Sequence, residues 1–152
     1  MKLGLLLWHL PSIFVASPLT TSGTRVALLK LFGAKIGKGV VIKAAFFKEP
    51  WNLDIGANTW IGRNCDFDNP GQIKIGSNTC ISQHCHIITG NHDIKSLDFR
   101  LVTHTTRIGS NVWLQAGCRI LGSAEIPDGS RLKAYSVVSG NYRLEKTNEN
   151  EN

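Results

Sequence analysis

The sequence of 152 residues contains no Cys-x-x-Cys pair, and its four cysteines stand at positions 65, 80, 85 and 118. Zinc fingers need closely paired ligands, so this class is excluded, and nothing in the cysteine pattern requires an oxidising compartment. The chain also lacks the mixed basic and aromatic pattern of RNA-binding domains. A chain of this length is expected to form one domain that buries its own core.

Acidic residues are nearly absent from the first third of the chain. Residues 1–49 hold seven Lys and Arg side chains against one acid, Glu49, whereas residues 50–152 hold ten of each sign. The formal net charge of +6 therefore comes from the N-terminal third. Such an excess favours an anionic partner, and a membrane face or a phosphate-bearing substrate is favoured over nucleic acid.

Residues 3–24 include no charged side chain, and residues 3–16 are mostly apolar. That length is too short for a membrane span and is typical of an interfacial segment, a buried helix or the core of a signal peptide. We predict a pair of surface-seeking helical segments over residues 1–35, with a structural cap and a cleaved signal as alternatives. The second helix is expected in TRVALLKLFG and to end at Gly33.

Aliphatic side chains recur every six positions through most of the remaining chain. The positions that keep this interval within a group are Ile36 and Ile42; Ile55, Ile61 and Phe67; Ile75, Ile81 and Ile87; and Ile108, Leu114, Ile120, Ile126, Leu132 and Val138. A period of six matches neither the alternation of an ordinary strand nor the three-and-four spacing of a helix.

Three six-residue units close a triangular coil of about eighteen residues, and stacked coils pair their backbones into three parallel sheets. The sequence therefore predicts an all-β parallel β-helix over residues 36–140, followed by a polar and disordered tail over residues 141–152. The slot four positions after each aliphatic residue points inward. Because Cys65, Cys85 and Cys118 occupy it, we interpret them as compact core residues, whereas Cys80 is expected to face outward.

The period is interrupted at residues 48–54, near residue 73, and for about fifteen residues after His92. A stacked coil has to expel extra residues to its outside. Loops of more than a dozen residues in a compact fold are usually functional, so the sequence predicts an extruded functional loop after His92.

The segments FGAKIGKGVVIK, IGRNCDFD, IGSNTCISQHCHIITGNHDI and IGSNVWLQAG resemble those of the hexapeptide-repeat acyltransferases. The chain is most similar to the colanic acid and related polysaccharide O-acetyltransferases, with galactoside and maltose acetyltransferases as cousins, and the likeness runs from about residue 5 to residue 138. The resemblance implies a left-handed β-helix and acetyl-CoA as co-substrate. It also implies no metal, and a homotrimer with active sites between subunits.

In these enzymes the histidine of the TGNHD step is the general base, and His92 is the matching residue. An imidazole suits this task because its pKa lies near the working pH. We expect His92, one position past Asn91, to stand at the floor of a pocket whose wall is the corner that the loop leaves. Asp93 is expected to orient the ring or to hold the substrate, and His84 and His86 to face solvent or another subunit.

The resemblance places the acceptor site at Asp68, with Asn69 beside it and Asp66 behind it, although the sequence DNPG is also strong turn chemistry. Asn91 completes the expected substrate-binding set. For acetyl-CoA the matching positions are Trp113, Gln115, Ala116 and Ala134. The sequence LKAYS departs from the family by placing Lys133 and Tyr135 on a surface that is normally slim. Lys133 is expected either to contact the CoA phosphates or to impair the site.

The predicted function is acetyl transfer to a sugar hydroxyl in surface polysaccharide synthesis. We expect a cytoplasmic enzyme with peripheral membrane contact through residues 3–32. One alternative is a non-catalytic scaffold with a degenerate CoA groove. Another is a γ-type carbonic anhydrase, which needs two zinc-binding histidines five positions apart, whereas His86 and His92 are six apart.

Overall fold

Two helices precede the repeat in the computed structural model, which describes residues 3–140. Helix α1 spans Leu3–Ala16 and helix α2 spans Ser22–Leu31. The Thr21 side chain caps the start of α2 by accepting from the Thr24 N–H, and the chain leaves the helix at Gly33 with φ +94°. A left-handed glycine is the usual C-terminal stop, so the predicted end of this helix is confirmed. The predicted tail, residues 141–152, lies outside the described residues.

Fifteen of the strands, numbered β1–β17 in chain order, form three parallel sheets that we name A, B and C. Sheet A contains β1 (Lys35–Ile36), β4 (Leu53–Ile55), β7 (Ile73–Ile75), β12 (Thr106–Ile108) and β15 (Glu125–Ile126). Sheet B contains β2 (Val41–Ile42), β5 (Trp60–Ile61), β8 (Cys80–Ile81), β13 (Trp113–Leu114) and β16 (Arg131–Leu132). Sheet C contains β3 (Phe46–Phe47), β6 (Asp66–Asp68), β9 (His86–Ile88), β14 (Arg119–Leu121) and β17 (Val137–Ser139). A hairpin of β10 (Gly90–His92) and β11 (Leu101–Thr103) stands apart.

The chain visits sheets A, B and C in turn, and each strand pairs in parallel with the equivalent strand of the next coil. In sheet A, for example, Ile55 pairs with Ile75 and Ile75 with Ile108. No coil can bury its own inner face, so stacking supplies the core. The protein is a left-handed parallel β-helix of five coils, which confirms the predicted fold class.

The cysteines of the inward slot are buried as predicted. Cys65, Cys85 and Cys118 are at most 1% exposed and stack in successive coils, while Cys80 is half-buried on an outward position. Burial raises the pKa of the Cys118 thiol to about 11. The pKa of Cys85 is raised by its hydrogen bond with Cys65 and by burial. A neutral, buried thiol behaves as a small apolar side chain, and all four cysteines are free.

Almost all of the irregularity lies at one corner of the prism, where the chain passes from sheet C to sheet A. The connections at this corner are residues 48–52, which contain the 3-10 turn Pro50–Asn52, then residues 69–72, residues 89–105 with the hairpin, and residues 122–124. The slip predicted near residue 73 therefore lies just before β7. The corner from A to B always takes four residues, so one edge of the solenoid carries the insertions.

The two helices cover the first coil. Trp8 of α1 is buried and donates a hydrogen bond from Nε1 to the Phe47 carbonyl at 2.7 Å. Leu29 of α2 is fully buried in the same core. The opposite face of α1 is apolar and exposed, through Leu6, Leu7, Leu10, Ile13 and Phe14. Among the helices of residues 3–140, none combines the length and apolarity that a membrane span requires.

Stacking leaves no room for a side chain at Gly76, in the turn from sheet A to sheet B. A Cβ on Gly76 would overlap the backbone of Gly109 and Ser110 in the next coil, whereas a Cβ on Gly23 in α2 would meet nothing closer than Thr21 Oγ1 at 3.9 Å. Because forced overpacking typically costs about 1–3 kcal/mol, we expect Gly76→Ala to lower the midpoint of thermal unfolding. Gly23→Ala is the matched control and should keep or raise it, since Ala exceeds Gly in helix propensity by about 1 kcal/mol. Equal midpoints for the two variants would contradict close stacking at Gly76.

Candidate active site

The long interruption folds as a β-hairpin and not as an irregular loop. Strand β10 pairs with β11 in antiparallel register, with Gly90 opposite Thr103 and His92 opposite Leu101. Residues 93–100 close the hairpin, and the Asp93 N–H donates to the Arg100 carbonyl. His92 is therefore the last residue of a paired strand, where cross-strand hydrogen bonds fix its backbone.

The His92 ring is fixed by a contact within the same hairpin. Its Nδ1 forms a hydrogen bond with the Phe99 carbonyl oxygen. A carbonyl oxygen only accepts, so the neutral ring carries its proton on Nδ1 and leaves a lone pair on Nε2. The Asn91 side chain accepts from the His92 N–H at 2.8 Å. The imidazole is thus held in one orientation, its Nε2 has no hydrogen-bond partner among residues 3–140, and it is exposed in the single chain.

Asp93 does not orient the His92 ring. Its carboxylate accepts from the Lys95 N–H at 3.0 Å and pairs with the Arg100 guanidinium at 3.1 Å. Short side chains that bond to backbone two residues on are typical of turns. Asp93 therefore stabilises the hairpin connection. The group that orients the His92 ring is the Phe99 carbonyl and not the Asp93 carboxylate.

A buried polar network supports the base of the hairpin. Thr89, fully buried, exchanges hydrogen bonds with Gly71 through its hydroxyl, at 2.8 Å to the N–H and 3.1 Å to the carbonyl. The His104 N–H donates to the Thr89 carbonyl at 2.7 Å, and a Cβ on Gly71 would overlap the His104 carbonyl. Both ends of the hairpin therefore rest on this corner, where His104 makes these contacts through its backbone.

Asn69 lies at the same corner, and its side chain is bonded within the stack. It is fully buried, its Oδ1 accepts from the Glu49 N–H at 3.0 Å, and its Nδ2 donates to the Glu49 carbonyl at 2.7 Å. A buried amide whose oxygen and nitrogen both bond to backbone groups acts as a structural link. We predicted that Asn69 binds substrate, whereas the corner turns its side chain into the stack and bonds it to the Glu49 backbone.

Asp66 and Asp68 do line a cavity, of about 470 Å³, between α1 and sheet C. Its coil wall also includes Lys48, whose ammonium pairs with Asp68 at 2.8 Å. Its helix wall consists of Leu5, Trp8, His9 and Ser12. A cavity with apolar walls and a few convergent polar groups is typical of small-molecule sites. The outward face of sheet C thus becomes a pocket only because α1 lies over it.

His86 is a site residue that the sequence reasoning missed. It lies opposite Asp66 in the β6–β9 pairing and lines the same cavity. Its Nε2 is enclosed without a hydrogen-bond partner among residues 3–140, with Asp66 Oδ2 at 3.5 Å. A buried polar atom left without a partner marks a position that a ligand can satisfy. The repeat correctly placed His86 outward, but the helix that covers it was not foreseeable from the repeat. His84, at φ +60°, is exposed at the preceding corner.

His92 and the cavity lined by Asp66, Asp68 and His86 are separate in one chain. His92 is not among the residues that line the cavity of Asp66, Asp68 and His86. The hairpin pairs outward and leaves His92 exposed in the single chain, so a pocket around His92 stays a prediction.

The residues expected to contact acetyl-CoA lie on the fourth and fifth coils. Trp113 is 42% exposed, and its Nε1 donates to Ser82 Oγ at 3.1 Å. Gln115 accepts from the Ala134 N–H at 3.1 Å, so these two positions are in direct contact. Ala116 is half-buried and Lys133 is exposed. The corner from B to C thus presents a mostly polar and backbone-rich surface.

Tyr135 narrows this surface. It is 79% exposed with φ +61°, and its ring lies against Gly117, where a Cβ would come within 2.5 Å of Cδ1 and Cε1. The Ala134 N–H is already occupied by Gln115. Within residues 3–140 no group of three or more His, Cys, Asp or Glu side chains is arranged to hold a metal ion.

Comparison with known proteins gives a close match in sequence. No protein-family model matches the chain. Over 128 residues the chain is 37% identical to WcaF of Escherichia coli K12, described as a colanic acid biosynthesis acetyltransferase. The match covers 84% of this chain and 70% of that protein, and WcaF of Shigella flexneri matches to the same extent.

Solved structures share the fold. A maltose O-acetyltransferase from Clostridium difficile 630 superposes with a TM-score of 0.62 at 22% identity, covering 88% of this chain and 79% of that one. A hexapeptide-repeat acetyltransferase from Vibrio cholerae O1 biovar eltor, solved with acetyl-CoA, gives a TM-score of 0.69 at 18% identity, covering 88% and 72%. At these identities the likeness concerns the three-sided solenoid alone.

Proposed function

The chain belongs to the acetyltransferase family of WcaF, and from that premise we propose that it transfers an acetyl group from acetyl-CoA to a sugar hydroxyl in surface polysaccharide synthesis. The observation that carries the proposal is His92, whose Nδ1 is held by the Phe99 carbonyl while Nε2 has no partner in the part of the chain that the structure describes. The relatives' part in colanic acid biosynthesis supports a sugar acceptor.

His92 acts as the general base in this proposal. Nε2 removes the proton of the acceptor hydroxyl as its oxygen attacks the thioester carbonyl carbon. The bond from carbon to sulfur then breaks, and the imidazolium returns the proton to the departing thiolate. The Phe99 carbonyl favours both stages, because it keeps the Nδ1 proton in place and stabilises the imidazolium that forms.

The acceptor enters the cavity between α1 and sheet C. Asp66 and His86 offer an acceptor oxygen and an unpartnered nitrogen to the sugar hydroxyls, and Asp68 is held by Lys48 at the same wall. Trp8 supplies an aromatic wall, and apolar surfaces with a few placed polar groups fix the orientation of a small ligand. Asn91, beside the base, is the remaining polar contact.

Acetyl-CoA is proposed to lie along the corner from B to C, with Trp113 and Ala116 as walls and Lys133 near the phosphates. Tyr135 and the bond between Gln115 and Ala134 restrict this surface. These contacts would be the origin of a degenerate groove, so direct measurement of acetyl-CoA binding decides between the enzyme and the scaffold alternative.

We predict that His92→Ala lowers the rate of acetyl transfer by about 10² to 10⁴, the range for loss of a general base. Affinity for acetyl-CoA should be nearly unchanged, because the base touches the acceptor proton. The measurement is steady-state transfer to a panel of nucleotide-linked and lipid-linked sugars, with acetyl-CoA affinity from calorimetry.

His84→Ala and His104→Ala are the matched controls and should cost far less. Asp68→Asn is the acceptor-side comparison and is expected to raise the acceptor KM more than it lowers kcat. Near-normal turnover by His92→Ala would show that another group is the base. Failure of the wild type to bind acetyl-CoA would favour the scaffold.

We also propose a homotrimer with active sites between subunits. Trp60, Cys80 and Trp113 form an outward ladder on sheet B, and both tryptophans are 42% exposed. The hairpin adds Leu97 and Phe99, also exposed. Apolar patches of this kind usually mark an interface. A neighbouring copy would also bring a second chain to the exposed His92, which one chain leaves apart from the acidic cavity.

Light scattering is expected to give three times the 16.7 kDa of the chain. Trp60→Glu should shift the protein toward monomer and lower activity, because a charge on the ladder opposes burial. Arg119→Glu, an exposed change on sheet C, is a control for added acidity on an outward strand position. A stable monomer with full activity would defeat this proposal.

The exposed apolar face of α1 is proposed to contact the cytoplasmic face of a membrane. An apolar helical face beside a region rich in Lys and Arg binds anionic bilayers peripherally. Leu10 and Ile13 are 69% and 57% exposed, and the N-terminal third holds the whole excess of positive charge. This charge complementarity favours a membrane over a second copy as the partner of the face.

Acidic vesicles should therefore bind the protein at low salt and release it as salt rises. Leu10→Ser with Ile13→Ser should weaken binding, whereas Val137→Ser, on the last coil and 62% exposed, should not. Equal partition with neutral vesicles would remove the electrostatic part of the proposal. Dissociation of the trimer by the double variant would instead assign the face to a subunit contact.

A further inference from the structure

A second cavity, of about 440 Å³, lies between the connection from α1 to α2 and the corner from B to C of the first two coils. The cavity forms because the connection from sheet B to sheet C is shorter in the first coil than in the later coils. Three residues, 43–45, connect β2 to β3, whereas four residues connect B to C in every later coil. The first coil is therefore short at this corner, and residues 16–22 lie over the gap.

Every ionisable side chain that lines this cavity is a cation: Arg25, Lys43 and Arg63. Within residues 3–140 no carboxylate lies in ion-pair contact with any of the three. The Lys43 ammonium lies 4.9 Å from the centre of the Trp60 ring, which orients the charge without neutralising it. Three uncompensated cations around one cavity favour an anionic ligand.

Arg25 makes the cavity a built site and not only a patch of surface charge. It is 3% exposed, and its guanidinium donates to the carbonyls of Val15, Ser17 and Ile42 at 2.9, 2.6 and 3.2 Å. Three of its five N–H groups are used. The planar group is thus locked in position, and a guanidinium of fixed orientation is the preferred partner of a phosphate.

Hydroxyl groups complete the lining. Thr20, Thr21 and Ser22 line the cavity at the start of α2, where the positive end of the helix dipole also favours an anion. We propose that Arg25, Lys43 and Arg63 bind a phosphate group in this cavity. The site lies at the first two coils of the B to C corner, whereas Gln115 and Ala134 lie at the last two coils of the same corner. It is therefore distinct from the proposed acetyl-CoA surface.

Two sources of phosphate fit the position of the cavity. Leu19, beside the lining residue Pro18, is 93% exposed, and the apolar face of α1 ends at Phe14, 61% exposed. A phospholipid headgroup would therefore meet the cavity if α1 lies on a bilayer. A soluble diphosphate, such as that of an activated sugar, offers the same chemistry.

The test uses the full chain with Lys43→Gln and Arg63→Gln combined, since both side chains are exposed and Arg25 is left to hold its carbonyls. Lys35→Gln with Lys38→Gln removes the same charge from exposed positions of the first coil and is the control. One probe is inorganic pyrophosphate, whose binding is measured by calorimetry and ³¹P NMR. The other is phosphatidylcholine vesicles with or without phosphatidylglycerol.

We expect the Lys43 and Arg63 variant to bind at least one probe about 10-fold or more weakly, as expected for loss of two basic contacts, with the control near wild type. A loss confined to pyrophosphate identifies a soluble ligand, and a loss confined to acidic vesicles identifies a lipid headgroup. Equal losses in both variants, or no binding of either probe by the wild type, would overturn the proposal. Thermal unfolding verifies that the variants fold. Acetyl-CoA is absent throughout, so the outcome is independent of the proposed transfer reaction.

Discussion

Backbone pairing between successive coils is the constraint on which the remaining structure depends. Each short strand finds its partner in the next coil and not in a hairpin, so the inward residues form columns that run along the stack. Ile61 and Ile81 are an example in sheet B. A column tolerates only a side chain of the right size at each level. This explains why Cys and Thr occupy the narrow slots, and why Gly37, Gly56 and Gly76 lie directly under the backbone of the next turn.

The same constraint directs function to one corner. Extra residues cannot remain in the stack, and the C to A corner is where the chain accommodates them. The columns there are polar: the buried side chains of Asn69 and Thr89 bond to backbone, and the buried Glu49 carboxylate accepts from the side chains of Trp51 and Asn52. Such fully satisfied networks specify one arrangement of the chain. The hairpin is consequently attached to a rigid base, which gives the His92 ring a defined direction although it is exposed.

The sequence predicted the solenoid well because a period of six has one physical interpretation. Cys65, Cys85 and Cys118 were assigned to the core from spacing alone, and Gly33 to a helix end from its place after an apolar segment. The site was harder to predict, because its contacts depend on tertiary structure. The ring of His92 is held by Phe99 across a hairpin whose register has no sequence signal. His86 enters a cavity only because α1, nearly eighty positions earlier, packs above it. The Asn69 side chain points inward, although the sequence DNPG is typical of a turn.

Helix α2 has a consequence for assembly. A parallel β-helix ends in strands with unpaired backbone groups, and exposed edges of this kind invite pairing with other chains. At the first coil, the Ile42 N–H donates to Ser22 Oγ and the Ile42 carbonyl accepts from Arg25. Both partners belong to α2, so the helix occupies the hydrogen-bonding sites of the edge strand. Open-ended fibres grow by repeated head-to-tail contacts that need two free ends. Covering the edge strand of sheet B therefore opposes end-to-end pairing of another chain at the first coil.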